Sequence, residues 1–177
     1  MEPLTIEKTT HPLNSTWVIW YHNPSDNNWE TSSYKKLYEF NTLEDFFIFQ
    51  NTWKNNLPKL NLSMMFMMKK LDNYEFIYPM WEDKNNQPGG CWSFKISKRD
   101  IFKAWLELSI ALLGEIITLD AKESCNINGI SISPKKAFSI IKIWNRDSNK
   151  SNNSMLSKKI PFILLNSSIY KAHKEKT

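Results

Sequence analysis

Bulky apolar positions fall into several short alternating runs and two runs with helical spacing. Every residue from Thr16 to Tyr21 is aromatic or β-branched, which predicts a strand, and the turn formers Asn23-Pro24-Ser25-Asp26-Asn27 break it just before Trp29. A second strand is predicted over Tyr34 to Phe40. Thr42 with Asp45 three residues on resembles a helix capping pair, with the helix running to about Trp53. Met64 to Lys69 and Cys91 to Ser97 read as further strands, separated by the Tyr78-Pro79-Met80-Trp81 loop and the Gly89-Gly90 turn, so Trp81 is a loop residue. Ile101, Trp105, Leu108 and Leu112 recur at helical spacing between Asp100 and Leu113, and Gly114 is a good stop. Ile127 to Ser133 and Phe138 to Trp144 alternate as a hairpin around the basic turn Pro134-Lys135-Lys136. A polar loop rich in Ser, Asn and Lys follows over 145–159 and is expected to be mobile. Ile160 to Leu165 predicts a last strand, leaving a basic tail over 166–177. Several strands and two amphipathic helices without regular alternation predict an α+β fold with a mostly antiparallel sheet.

Composition adds one domain as the expectation for 177 residues, of which 41% are hydrophobic and 14% aromatic. Charge changes the picture more. The net +5 divides into 8 Lys against 11 acidic residues over 1–90, and 15 Lys and Arg against 7 acidic residues over 91–177. Any phosphate-binding surface must therefore come from the second half. Cys91 and Cys125 have no metal-ligand or disulfide-framework spacing. Met1-Glu2-Pro3 begins no basic and apolar leader, and no apolar run approaches the roughly 20 residues that span a bilayer. A cytoplasmic protein with no membrane contact is the expectation.

The densest chemistry lies in Met80-Trp81-Glu82-Asp83, followed by Asn85, Gly89-Gly90 and Trp92. An indole face attracts a flat aromatic cation, and an adjacent carboxylate accepts the two edge N–H donors of guanine. A purine methylated at N7 is such a cation. The run resembles the signature of the eukaryotic translation initiation factor 4E family, which binds the 7-methylguanosine cap of messenger RNA. His11-Pro12-Leu13 with Trp17 and Trp20, Asn28-Trp29, Thr42-Leu43-Glu44-Asp45-Phe46, Trp105-Leu106-Glu107, Leu113-Gly114-Glu115 and Ile143-Trp144 follow in the family's order with similar spacing. The resemblance runs roughly from Pro3 to Arg146, with a family-like core over about 11–146, and weakens beyond. Of the eight tryptophans, only Trp53 falls where the family has none.

The resemblance implies a curved sheet with helices on its convex back and the cap slot on its concave side. It implies that Trp29 and Trp81 sandwich the methylated base, that Glu82 pairs with its edge, and that Trp144 lies against the methyl group. Trp17, Trp20, Trp92 and Trp105 are assigned to the core. The phosphate contacts depart from the pattern. Cys91 stands where a basic residue usually follows the glycines, and Ile140 where a lysine usually precedes the last tryptophan by four. Lys135 aligns with the family's remaining arginine; Lys136, Lys142 and Arg146 are nearby candidates, and Lys171, His173, Lys174 and Lys176 in the tail could fold over the phosphates. On the convex back, Pro12, Leu43, Phe47, Leu106, Glu107 and Ile110 match positions that dock an amphipathic helix of the scaffold factor 4G or of a repressor. Phe47 replaces the family's usual tryptophan there. The third long helix that the family has after Trp144 is missing, so the chain reads as a divergent, shortened member, as from a viral or compact genome.

Recruitment of messenger RNA to translation through a scaffold, with the protein a monomer apart from that partner, is the leading reading. A cap-dependent repressor or hijacker uses the same slot, and a general single-stranded RNA binder would stack bases on the same aromatic residues. An enzyme is disfavoured: His11, His22 and His173 lie in unrelated segments, no phosphate-cradling glycine fingerprint occurs, and Glu82 and Asp83, adjacent in sequence, would point apart on a strand. No cofactor or metal is implied.

Overall fold

The computed structural model describes residues 10–56 and 59–174. Strands β1 (Pro12–His22), β2 (Lys35–Thr42), β3 (Met64–Lys70), β4 (Gly90–Ser97), β5 (Ile127–Pro134), β6 (Phe138–Asn145) and β7 (Ile169–Ala172) form one sheet in the order β2-β1-β3-β5-β6-β4-β7. Each neighbouring pair is antiparallel. Helix α1 (Leu43–Asn56) follows β2 directly, and α2 (Ile101–Leu113) follows β4 across a short turn.

Alternation explains how one sheet carries two apolar layers. In β1, Trp17 and Ile19 pack with the helices while Val18 and Trp20 face the other way; Met65 and Met67 of β3 oppose Phe66 and Met68 in the same manner. That double burial is why Trp17-Val18-Ile19-Trp20 reads as an unbroken apolar run. The larger layer takes Trp92 and Phe94 from β4, Phe46, Phe49 and Trp53 from α1, and Trp105 and Leu108 from α2. The smaller layer holds Val18, Trp20, Tyr34, Phe66, Met68, Ile77, Cys91 and Trp144. All four tryptophans assigned to the core are buried, with Trp20 in the smaller layer.

Both helix ends use local chemistry. Thr42 Oγ1 accepts the Asp45 N–H at 3.2 Å and donates to the Asp45 carboxylate at 2.7 Å. At the end of α2 the Gly114 N–H bonds the Ile110 carbonyl at 2.9 Å, and the left-handed residue is Glu115, with φ 55°.

The last strand predicted over 160–165 is not formed. Pro161 has no N–H to give a ladder, Phe162 sits at φ 68°, and Ile160 and Ile163 are buried from a turn. The final strand is instead β7, inside the predicted tail, paired along the outer edge of β4. The polar segment 145–159 is tied down rather than loose. The Trp92 indole N–H bonds the Ser151 carbonyl at 2.9 Å, the Asn145 amide reaches the Asp147 and Lys150 carbonyls, and Leu156 is fully buried beside a bridge to Thr118. No third long helix occurs there, and no helix of the described residues is long and apolar enough to cross a membrane.

Candidate functional site

On the sheet face away from the helices lies a cleft of about 380 Å³. Phe66 of β3, Ser131 of β5 and Trp144 of β6 line it from the sheet, and two loops bring Trp29 with Tyr34 and Met80 with Trp81 and Glu82. Trp144 is buried and its indole N–H donates to Ser131 Oγ at 2.9 Å, which fixes that ring. Trp29 and Trp81 remain 50% and 36% exposed, unusual for indoles with an apolar cleft at hand.

The Trp29 loop is a chain of Asx turns: Asn23 Oδ1 accepts from Ser25 N, Asp26 Oδ1 from Asn28 N, and Asn28 Oδ1 from Glu30 N, at 2.8–3.0 Å. Trp29 itself stacks on His22 with centroids 4.3 Å apart and planes 3° apart. The Trp81 loop is held differently. Asp83 accepts from the Tyr78 and Asn85 N–H groups, Asn86 donates to the Tyr78 and Met80 carbonyls, and Asn128 donates to the Asn85 carbonyl and to Asn86 Oδ1. Asp83 is thus spent inside the loop, whereas the Glu82 carboxylate lines the cleft with no hydrogen bond or ion pair among the described residues. Gly89 and Gly90 serve close approach rather than an unusual backbone angle: a Cβ on Gly89 would lie 1.9 Å from the Asn145 carbonyl oxygen, and one on Gly90 2.4 Å from the Tyr170 hydroxyl.

The basic residues sort by position. Lys135 and Lys142 line the cleft. Lys142 Nζ lies 5.5 Å from the Trp81 ring centroid and Lys171 Nζ 4.8 Å from it. Lys136, in the β5–β6 turn, Arg146 and Lys174 are exposed and off the cleft, and Lys176 lies outside the described residues. Cys91 is buried, which pushes its thiol pKa up, and Ile140 lines the cleft, so neither position carries charge. His173 packs on Trp81 and Trp144. Tyr34, Phe66, Met80, Ser131 and His22 escaped sequence reading, although Tyr34 and Phe66 stand in predicted strands at alternating positions. Burial and, secondarily, the negative charge of Glu82 push the Tyr34 phenol up to about 12, so it is neutral.

On the helix side, Phe47 and Ile110 are 44% and 40% exposed, Leu43 and Leu106 are half-buried against the core, and Glu107 and Pro12 are exposed. Glu44 takes the His11 ring Nδ1 at 2.6 Å and its N–H at 3.0 Å, fixing the start of β1 to α1. These bonds, the ring's first, lower the Glu44 pKa from 4.5 to about 2. The stability they add is present above about pH 4.5 and lost as pH falls toward 2.

A seven-stranded antiparallel sheet with helices on one face and a cleft of aromatic rings edged by lysines on the other defines an α+β protein built to hold a flat, charged ligand. Residues 12–177 match the model of the family described as eukaryotic initiation factor 4E, and the chain belongs to that family. The match continues past Arg146, where the motifs alone had thinned. The chain is 32% identical over 161 residues to the eukaryotic translation initiation factor 4E of Eremothecium gossypii, covering 87% of this chain and 71% of that protein. It is 32% identical over 145 residues to the Saccharomyces cerevisiae factor, covering 79% and 64%. Among solved structures, Ascaris suum eIF4E-3 in complex with m7G cap superposes with a TM-score of 0.75 at 25% identity, covering 95% of this chain and 94% of that one. Caenorhabditis elegans eIF4E-3 with the 4E-binding protein Mextli and a cap analog gives 0.71 at 26%, covering 93% and 94%.

Proposed function

We propose that this protein binds the 7-methylguanosine cap of messenger RNA and acts in translation initiation through a helical scaffold or repressor partner, in the cytoplasm and by binding rather than catalysis. The observation that carries this reading is the meeting of two half-exposed indoles, Trp29 and Trp81, at one cleft with the unpaired carboxylate of Glu82. The base stacks between the indoles, and Glu82 accepts its N1–H and exocyclic amine. Two cation–π contacts at about 0.5–1 kcal/mol each when exposed, or about 2 each when desolvated, favour the methylated base by roughly 1–4 kcal/mol, about five- to seven-hundredfold.

Lys142 and Lys171 take the phosphates, with Lys135 beyond them. Lys142 stands two residues from Ile140 on the same strand, so both share a face; Lys171 is the cross-strand neighbour of Cys91. Each charge missing from the family pattern is thereby restored one step away. Leu43, Phe47, Leu106, Glu107 and Ile110, with Pro12, receive an amphipathic helix bearing a basic residue.

Titration with 7-methyl-GTP and GTP, followed by tryptophan fluorescence, tests this. Strong preference for the methylated ligand, lost in Trp29→Ala, Trp81→Ala and Glu82→Ala, is expected; equal weak binding of both would overturn it.

A further inference from the structure

Each of the two exposed tryptophans is backed by a histidine that does not itself line the cleft, and the two histidines are held alike although they come from opposite ends of the fold. His22 closes β1. Its ring lies flat on Trp29, and its Nε2 is 2.8 Å from the carbonyl oxygen of Asn28, the residue just before that tryptophan. His173 directly follows β7. Its ring lies 5.7 Å from Trp81 at 15° and 4.9 Å from Trp144 at 50°, and its Nδ1 is 2.8 Å from the carbonyl oxygen of Asn86 in the Trp81 loop. A carbonyl oxygen only accepts, so Nε2 carries the hydrogen in His22 and Nδ1 carries it in His173. The other nitrogen of each ring, Nδ1 of His22 and Nε2 of His173, is buried with no hydrogen-bond partner among the described residues.

A second proton on either ring would place an N–H and a charge where nothing accepts them. Around His22 stand Trp29 and the neutral phenol of Tyr34, whose ring is 4.9 Å away. Around His173 stand Lys142, which opposes a positive charge, and Glu82, which favours it, with Lys171 two residues back. Burial, ahead of these, holds the His173 pKa below the ordinary histidine range.

We propose that His22 and His173 are paired positioning residues that brace the two indoles from outside, and that the Trp81 wall suits a cationic base only while the His173 imidazole is neutral, so that discrimination for the methylated cap weakens as His173 gains a proton. This rests on the cap-binding reading above. An imidazolium against the outer face of an indole draws on the same negative ring face that the methylated base uses from inside, and sets two like charges across one ring. Plain guanine is neutral and does not feel that opposition. Protonation of His173 therefore lowers the ratio of affinities for 7-methyl-GTP and GTP relative to a variant without that imidazole, a comparison in which the ionisation of the ligands themselves cancels.

The test measures that ratio for the full chain at pH 7.5 and pH 5.5, in the wild type and in His22→Phe, His173→Phe and the double variant. Phenylalanine keeps a ring in the stack and removes the proton. Between the two pH values the ratio should fall by up to about fivefold more in the wild type than in His173→Phe, as one weak cation–π contact would give, with the double variant following His173→Phe. An equal pH response of the ratio in the wild type, in His173→Phe and in the double variant overturns the inference. No methyl preference at pH 7.5 would instead sink the cap reading itself. Should the variants not fold, ¹⁵N spectra of the wild-type His173 imidazole decide: a lower protonation midpoint with 7-methyl-GTP bound than with GTP bound supports the proposal, and equal midpoints refute it.

Discussion

The two loops that supply the cleft's indoles do the same job with opposite means. The Trp29 loop is held by short-range contacts, surface hydrogen bonds between residues two apart and the His22 ring that bonds the Asn28 carbonyl six residues on. The Trp81 loop is held by fully buried asparagines, Asn86 and Asn128, that reach across more than forty residues of sequence. One wall is thus locally made and can move alone, while the other is part of the sheet's own stability. A cleft with one fixed and one adjustable wall can close on a flat ligand without disturbing the rest of the fold.

Asn86→Ala tests the fixed wall and should have the largest effect. It takes one of two acceptors from the Asn128 amide and a donor from the Tyr78 and Met80 carbonyls, and should cost on the order of 3 kcal/mol in urea unfolding while abolishing 7-methyl-GTP binding. Trp29→Ala should lower that affinity about thirtyfold, the loss of one desolvated cation–π contact, while leaving the unfolding midpoint in place. An accompanying large loss of stability would mean that the Trp29 wall is not local. Asp26→Ala should cost roughly 1 kcal/mol or less, read as faster hydrogen exchange at the Asn28 and Trp29 amides with the Trp81 loop unaffected. The smallest effect expected is of pH on the fixed wall. His173 has its folded pKa below the unfolded 6.5, so its contribution to stability is full above that value and is lost as pH falls through it. Thermal melts of His173→Phe should lose that part of the pH dependence, while melts of Asp26→Ala should keep it.

Much of this organisation was legible from the chain. Strands β1 and β3 to β6 declared themselves by alternation or dense apolar runs, and the tryptophans of the cleft by their setting beside Glu82 and the turn formers. What escaped was long-range or contrary to residue type. β7 is four residues long, sits at an edge and alternates Ile169 and Tyr170 with Lys171, so nothing local separates it from a solvated tail. The apolar stretch before it looked more like a strand, but Pro161 and the left-handed Phe162 turn it into an anchor for Ile160 and Ile163. Asparagines in a loop read as solvent-facing, and only the fold shows Asn86, Asn128 and Asn145 as buried struts. The basic positions were ambiguous because lysine spacing does not reveal which strand lies next to which; the pairing of Cys91 with Lys171 exists only once β7 has docked.

That late docking has a consequence for the order in which the molecule is made. The ribosome delivers Trp29, Trp81 and Trp144 well before residues 169–173, yet the Trp81 side lacks its stacked ring and its Asn86 carbonyl bond until His173 arrives. A chain still being translated therefore presents a cleft whose Trp81 wall is not yet backed from behind, and its finishing touch comes from among the last residues made.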